Sequence, residues 1–323
     1  MNDNKDTYQR RTIALAISNI GWLLALISLF LLFFIGGPSY YSSPVFKELW
    51  NIGHILFFAL TTYKLISLIK HQTTLVILVL SLIYCFTLGT LIELVQSKIG
   101  RSLDLHDIYR DALGTFLALS IYIYQKSRFD KGSFLVSSYL IIASLLIIID
   151  QNKLFIIIKM DITARYNFPV LASFESKLAL KQWSGNHLSL STDKTLTGLY
   201  SLKIKLSNES KYSTVTLINM PRNWEGYNDL VINIYNPAKD ALKITTKITD
   251  YQHDLSNQAY NDRYNKSFTL LKAQWNIIKI SLEDIKNSPE TRELKLDDIS
   301  RLSLFTTGVT EDRVIYIDSV TLI

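Results

Sequence analysis

Residues 13–35 read IALAISNIGWLLALISLFLLFFI, a nearly continuous run of hydrocarbon side chains. Coiled as a helix at 1.5 Å per residue, such a run reaches roughly 30 Å, the thickness of a bilayer's hydrocarbon core. Its reading as a spanning helix decides the solvent of the first half of the chain. Lys5, Arg10 and Arg11 precede it, as they would precede a signal sequence. The apolar core, however, exceeds the roughly 7–15 residues of a signal peptide, and no A-x-A cleavage site follows. Further apolar segments lie at Leu49–Ile69, Thr74–Val95, Ala112–Gln125 and Ser133–Ile149, so the expectation is an α-helical transmembrane bundle of about five spans. The fourth segment is short unless its polar start, Asp104–Asp111, is also helical and lined by protein.

Beyond Asp150 the composition turns to Asn, Asp, Ser, Thr and Lys, and the mean hydropathy of +0.17 averages two different solvents. The division expected is a transmembrane domain over 1–150, a linker over 151–170 and a sandwich over 171–323. A net charge of +6 does not argue for nucleic acid, because the basic residues form no patch interleaved with aromatics. Lys5, Arg10, Arg11, Lys70, Lys126, Arg128 and Lys131 fall in alternate loops, which makes that side cytoplasmic. Lys47, Lys98, Arg101 and Arg110 oppose this bias. With an odd number of spans the N-terminus is cytoplasmic, the protein sits in the cell (inner) membrane with lipid as its partner, and the chain after Asp150 is periplasmic or extracellular. The single cysteine, Cys85, lies in an apolar run and leaves no intrachain disulfide.

An ionised group deep in a spanning helix costs on the order of 3 kcal/mol on insertion scales, so each needs a partner or a purpose. His54 lies early in the second span, and Glu93 and Gln96 share a face at the end of the third. Asp104, Asp107, Asp111 and Gly114 follow at intervals that stack them along one helical stripe. The plain reading is that Asp104 and Asp107 complement a helix N-terminus while Arg101 and Arg110 snorkel to headgroups. Trp50 reads as an interfacial anchor. The sharper reading gives His54, Glu93, Gln96, Arg101, Asp107 and Asp111 a common ligand site. In that reading His54 and Glu93 are acid/base candidates, and the Asp107–Asp111 pair holds a metal ion or a proton.

This set, from His54 through Glu93-x-x-Gln96 and Arg101 to Asp107-x-x-x-Asp111-x-x-Gly114, resembles the VanZ-like membrane domain over about residues 10–130. The position matching Asp111 is often Asn in that family. The resemblance implies a fold neighbourhood and, through a founding member associated with teicoplanin resistance, a link to glycopeptide tolerance, but no reaction.

From about Ala172 short alternating runs separated by turn residues argue an all-β jelly-roll sandwich. Strands are expected at Tyr200–Leu206, Ser213–Ile218, Asp229–Tyr235, Leu242–Ile248, Asn276–Ile280 and Arg313–Asp318. Phe174-Glu175, Gly198-x-x-Ser201, Trp224-x-Gly226-Tyr227, Asn236-Pro237, Asp262-Arg263-Tyr264-Asn265, Trp275-Asn276 and Tyr316-Ile317-Asp318 together resemble the galactose-binding-like carbohydrate-binding modules, particularly the family eleven type. Sugar recognition needs an aromatic ring for a pyranose face and polar groups for its hydroxyls. Tyr251, His253, Tyr260, Arg263 and Tyr264 are the candidates. The alternative is that Arg263 and Asn265 tie their loop to the sandwich, with Trp224 and Trp275 in the core. Related modules hold a structural Ca²⁺, and Glu175 and Asp318 match those positions, offering the oxygen ligands calcium takes.

The function expected is a cell-envelope membrane protein, more an anchored binder than an enzyme, that recognises a glycan or peptidoglycan component. The rival is an intramembrane enzyme or transporter acting on a lipid-linked or cationic substrate through His54, Glu93, Asp107 and Asp111. A pure protein-binding scaffold is a third reading. No nucleophile motif, phosphate loop or His/Cys zinc spacing is present.

Overall fold

The computed structural model describes residues 20–38, 42–99, 104–127, 133–209 and 211–323. The chain divides into two compact units, Met1–Phe155 and Ile156–Ile323.

In the first unit, helices follow the expected apolar segments: α1 (Ile20–Leu32), α2 (Pro44–Ile69), α3 (Thr74–Lys98), α4 (Leu105–Ser127) and α5 (Ser133–Asp150). Residues 13–19 of the first expected span, the N-terminal Lys5, Arg10 and Arg11, and the loop residues Arg128 and Lys131 lie outside the described residues. Ser43 caps α2 by accepting from the Phe46 N–H at 3.3 Å, and Pro44, which has no N–H to lose, opens that helix. Thr73 caps α3 in the same way.

The buried face of α3 carries Ile77, Cys85 and Ile92 together with polar side chains, and large apolar side chains cover its outer face. Ser81, Glu93 and Gln96 are buried, while Leu75, Val79, Ile83, Phe86 and Leu91 are exposed. A helix in water buries its apolar stripe and exposes a polar face; an apolar outer face suits hydrocarbon around it, and the buried polar groups then need partners within.

By length and composition α2 and α3 can each cross a membrane. The segment Ser137–Asp150 and the following helix α6 (Asn152–Asn167), bent by 42° where they meet, pass the same test as a pair. Among the described residues that gives two or three candidate spans, where about five were expected. The described helix of the first expected span covers Ile20–Leu32 alone, and the first turns of α4, helical as the longer reading required, carry Asp107, Arg110 and Asp111. The expected linker also differs, since residues 152–167 are helical and Val170–Ser173 form a strand. Asn and Lys in that stretch read as linker composition, yet Leu154, Met160 and Ala164 are buried, the last two at i, i+4 spacing.

The second unit is an antiparallel β-sandwich, as expected. Its strands are β1 (Val170–Ser173), β2 (Trp183–Gly185), β3 (Leu188–Ser191), β4 (Ser201–Leu206), β5 (Tyr212–Leu217), β6 (Asp229–Asn236), β7 (Leu242–Asp250), β8 (Tyr264–Leu270), β9 (Gln274–Ser281), β10 (Ile299–Thr307) and β11 (Arg313–Leu322). One sheet runs β3-β4-β11-β6-β9 with β1 also paired to β11; the other runs β2-β5-β10-β7-β8. All six expected segments are strands. Ile204, Ile232, Ile234 and Ile317 of the first sheet belong to one buried cluster with Val215, Ile244, Leu302 and Leu304 of the second. Trp224 is fully buried in this core, whereas Trp275 is half-buried and packs edge-on against Tyr235.

Candidate functional site

The second sheet presents an outward face built by simple alternation. With the even positions of β7 (Leu242, Ile244, Ile248) turned to the core, Lys243, Thr245 and Lys247 point out. Strand register then aligns side chains in rows. Thr214, Phe305, Thr245 and Ser267 lie opposite one another across four strands. Thr216, Ser303, Lys247 and Asn265 form the next row. From these rows Thr214, Phe305, Thr245, Ser267, Lys247 and Asn265 line a groove of about 450 Å³, joined by Tyr212 and by Tyr260 and Arg263 from the connection between β7 and β8. That volume is within the range of small-molecule sites.

The groove has aromatic edges and a polar floor. Tyr212 and Phe305 meet edge-to-face at 6.0 Å, and the Arg263 guanidinium lies 5.2 Å above the Tyr260 ring. Both amide atoms of Asn265 and Nε of Arg263 are buried without a hydrogen-bond partner in the protein. Buried polar atoms almost always have partners, so these are groups awaiting one. Lys243, Lys247 and Arg263 line the groove and no carboxylate does. Burial, reinforced by the charges of Arg263 and Arg301, holds the Lys247 ammonium below the ordinary lysine range. Burial likewise lowers Arg263.

Of the five candidates for sugar contact, the structure brings two to this groove, Tyr260 and Arg263. Tyr251 lines a separate hollow with Gln252, Leu255, Ser256, Lys295 and Asp298. His253 is buried, with Nδ1 3.1 Å from Asp262. Tyr264 is also buried and belongs to the core, because β8 alternates and sends the residue next to Arg263 inward. Tyr212, Phe305, Lys243 and Lys247 are groove residues that the sequence reading did not single out. Their signal was present in the strand pattern: they occupy the positions that alternate with core residues.

Arg292 ties the end of β7 to the turn Tyr260–Asp262 that precedes β8. It binds Asp250 through both carboxylate oxygens, at 2.5 and 2.9 Å, and Asp262 through both of its own. Asp250 also accepts from the N–H groups of His253 and Lys295.

Glu175 and Asp318, the calcium candidates, both hold the loop between β3 and β4. Asp318 accepts from the N–H groups of Leu196 and Thr197 and from the Thr197 hydroxyl. Glu175 accepts from the N–H groups of Leu199 and Tyr200. Gly198 between them has φ +67°, and a Cβ there would overlap the Glu175 carboxylate. Calcium needs six to eight oxygen ligands, whereas the groups converging on these carboxylates are N–H and O–H donors. The arrangement does not fit the ion.

In the helical unit the polar candidates converge. His54 on α2 places Nδ1 2.8 Å from Oδ1 of Asp111 and Nε2 3.6 Å from Oδ2 of Asp107, both on α4. Glu93 on α3 accepts from the Asp104 N–H at 2.9 Å. Gln96 donates to the Phe33 carbonyl at 3.0 Å, and the Phe33 ring packs edge-on against His54. Arg101 lies outside the described residues. Arg110 is buried rather than snorkelling; it faces Asp107 at 2.7 Å, Asp150 at 3.4 Å and Glu48 at 3.7 Å. Two glycines permit this packing. A Cβ at Gly89 would fall on Oδ2 of Asp111, and one at Gly114 would overlap the Ile55 carbonyl of α2.

No protein-family model matches the chain, and no curated protein matches it. Solved structures do resemble it in part. One is a family 11 carbohydrate-binding module from Clostridium thermocellum, in complex with a β-1,3-1,4-mixed-linked tetrasaccharide, at 16% identity over 48% of this chain and 94% of that one, with a TM-score of 0.36. A family 28 carbohydrate-binding module specific for non-crystalline cellulose shares 12% identity over 48% of this chain and 92% of that one, with a TM-score of 0.35. An exo-β-agarase shares 13% identity with a TM-score of 0.39; the match covers 48% of this chain and only 24% of the agarase's length.

Proposed function

We propose that this chain is a membrane-anchored glycan-binding protein of the cell envelope, and that its groove takes an acidic glycan, a wall or peptidoglycan component among them. The observation that carries this is the groove on the second sheet: aromatic edges at Tyr212, Phe305 and Tyr260, a floor of Thr, Ser and Asn, and three cations with no carboxylate. Aromatic faces suit the C–H face of a sugar ring and hydroxyls or amides suit its oxygens. Unopposed cations add attraction for carboxylate, phosphate or sulfate substituents. The helical unit anchors the protein in lipid, with the N-terminus in the cytoplasm and the sandwich outside it, at an inner membrane where there are two. The large exposed apolar side chains on α3, Leu75, Val79, Ile83, Phe86 and Leu91, support this reading. The VanZ-like reading of the helical unit, with its association with glycopeptide tolerance, is part of the same proposal; its support is that His54, Glu93, Gln96, Asp107, Asp111 and Gly114 are drawn to one place on α2, α3 and α4.

The test is calorimetry of the full chain in nanodiscs against matched acidic and neutral polysaccharides. Acidic polymers are expected to bind more tightly, with affinity falling as salt rises. Lys247→Ala and Arg263→Ala are each expected to lose about tenfold or more, the effect of one charge-assisted bond of about 1.5–3 kcal/mol. Absence of binding across the panel, or variants that bind as the wild type does, would refute the assignment.

A further inference from the structure

We propose that the helical unit holds a divalent transition-metal ion between His54, Glu93 and Asp107, with a further coordination position left for solvent or substrate. One donor atom from each of these three side chains lies within 4.8 Å of the other two. His54 and Glu93 are almost completely buried and Asp107 is partly so. Around a tetrahedral ion with bonds of about 2.1 Å, neighbouring donors stand about 3.4 Å apart. The 3.6 Å between His54 Nε2 and Asp107 Oδ2 is already close to that value.

Each ligand is held from behind by a second residue, which leaves one donor for the shared centre. His54 has Nδ1 engaged by Asp111 at 2.8 Å; with the proton on Nδ1, the Nε2 lone pair faces Asp107. A carboxylate behind a metal-binding imidazole is the usual way its tautomer and orientation are set. Asp107 gives Oδ1 to Arg110 at 2.7 Å and keeps Oδ2 toward His54. Glu93 gives Oε2 to the Asp104 N–H. Its other oxygen, Oε1, is buried with no hydrogen-bond partner, although Glu93 itself is 1% exposed. An anionic oxygen in that position is costly unless a proton or a cation meets it. A divalent ion meets it and offsets the charge of Asp107 at the same time.

One imidazole and two carboxylates suit zinc, iron or manganese better than calcium, which takes oxygen alone. Three protein ligands with a position left open is the arrangement of catalytic rather than structural zinc sites.

Zinc is the probe. The full chain, purified without a polyhistidine tag, is stripped with chelator, returned to nanodiscs and equilibrated with Zn²⁺. Metal per chain is then measured by mass spectrometry. The expected result is saturable uptake of about one ion per chain. Glu93→Gln and Asp107→Asn each keep the acceptor that Asp104 or Arg110 needs, so the helices keep their contacts, and each is expected to weaken uptake at least tenfold. His187→Ala, on the surface of the sandwich, is expected to leave uptake unchanged. Wild-type protein that takes up zinc no better than the Glu93→Gln, Asp107→Asn double variant would overturn the proposal. Where the variants fail to purify, Co²⁺ decides on the wild type alone. Visible bands of a four- or five-coordinate ion support the site, and the spectrum of free aqueous cobalt overturns it.

Discussion

Replacing Arg292 with Met keeps most of the stem and removes the one cation shared by Asp250 and Asp262. Four short hydrogen bonds to carboxylate oxygens are lost, and Asp250, whose side chain has no exposed surface, keeps only the N–H bonds from His253 and Lys295. Breaking a buried pair by removing one partner costs about 3–5 kcal/mol. The two surviving bonds place this case near about 3 kcal/mol, or roughly 6–12 °C for a unit of this size. The assay is urea unfolding of residues 156–323, whose hydrophobic cluster draws on this unit alone. The pH dependence is a second readout. Burial would raise the Asp250 carboxyl, but the bonds from Arg292, Lys295 and His253 outweigh it and hold it below the usual range. Asp262 is held down chiefly by Arg292. A depressed carboxylate contributes its stability above its unfolded value and loses it as pH falls through the folded one. The gap between wild type and variant is therefore full at neutral pH and closes below about pH 4. A gap under about 1 kcal/mol at pH 7, or one still undiminished at pH 3, refutes the clamp.

Gly114→Ala is expected to destabilise the helical unit by about 1–3 kcal/mol, because the added methyl overlaps the Ile55 carbonyl and the Ala59 nitrogen. Gly53→Ala, where nothing lies within 4 Å, is the matched control and gains helix propensity instead. Thermal unfolding in detergent compares them, and equal midpoints would dismiss the close approach of α2 and α4. Asp318→Ala frees the N–H groups of Leu196 and Thr197 and is expected to speed tryptic cleavage at Lys194 about tenfold, the equivalent of about 1.4 kcal/mol of lost bonding. Calcium added to the wild type leaves that cleavage rate unchanged; protection by calcium would restore the ion to this place.

The two architectures were legible because each follows from a period. Uninterrupted hydrocarbon marked the helices, and alternation marked β4, β5, β6, β7, β9 and β11. β10 escaped because Ile299, Ser300, Leu302, Ser303 and Leu304 are all buried, so small polar residues fill the interior and the period of two is blurred. The groove was half legible for a related reason. Tyr260 and Arg263 stand out in a polar loop, whereas Lys243 and Lys247 look like ordinary solvent-facing lysines until register sets them beside Asn265 and Phe305. Tyr264 shows the opposite error, in which chemistry suggested a ligand contact and strand parity sent the ring to the core. In the helical unit, ionisable residues within apolar runs announced themselves. What sequence left open was their division of labour: Asp107 and Asp111 read as a pair, yet Asp111 turns to Nδ1 of His54 and Glu93 takes the place beside Asp107.

That division follows from the spacing on α4. Asp107, Asp111 and Gly114 share one helical stripe, so the residue that lets α4 approach α2 lies on the same face as the two carboxylates that meet His54. Gly114 touches the backbone at Ile55, the residue after His54. The 2.8 Å bond between His54 and Asp111 is thus set by backbone contact rather than by the reach of a flexible side chain. Gly89 completes the constraint from α3, because any side chain there would displace the Asp111 carboxylate. Glu93 lies one turn further along that helix. Three helices are therefore registered by two glycines, and the imidazole, its supporting carboxylate and the unpartnered glutamate oxygen are placed by main-chain packing. Side-chain ligation that depends on main-chain packing is rigid, and rigidity is what an ion-binding site requires of its first ligands.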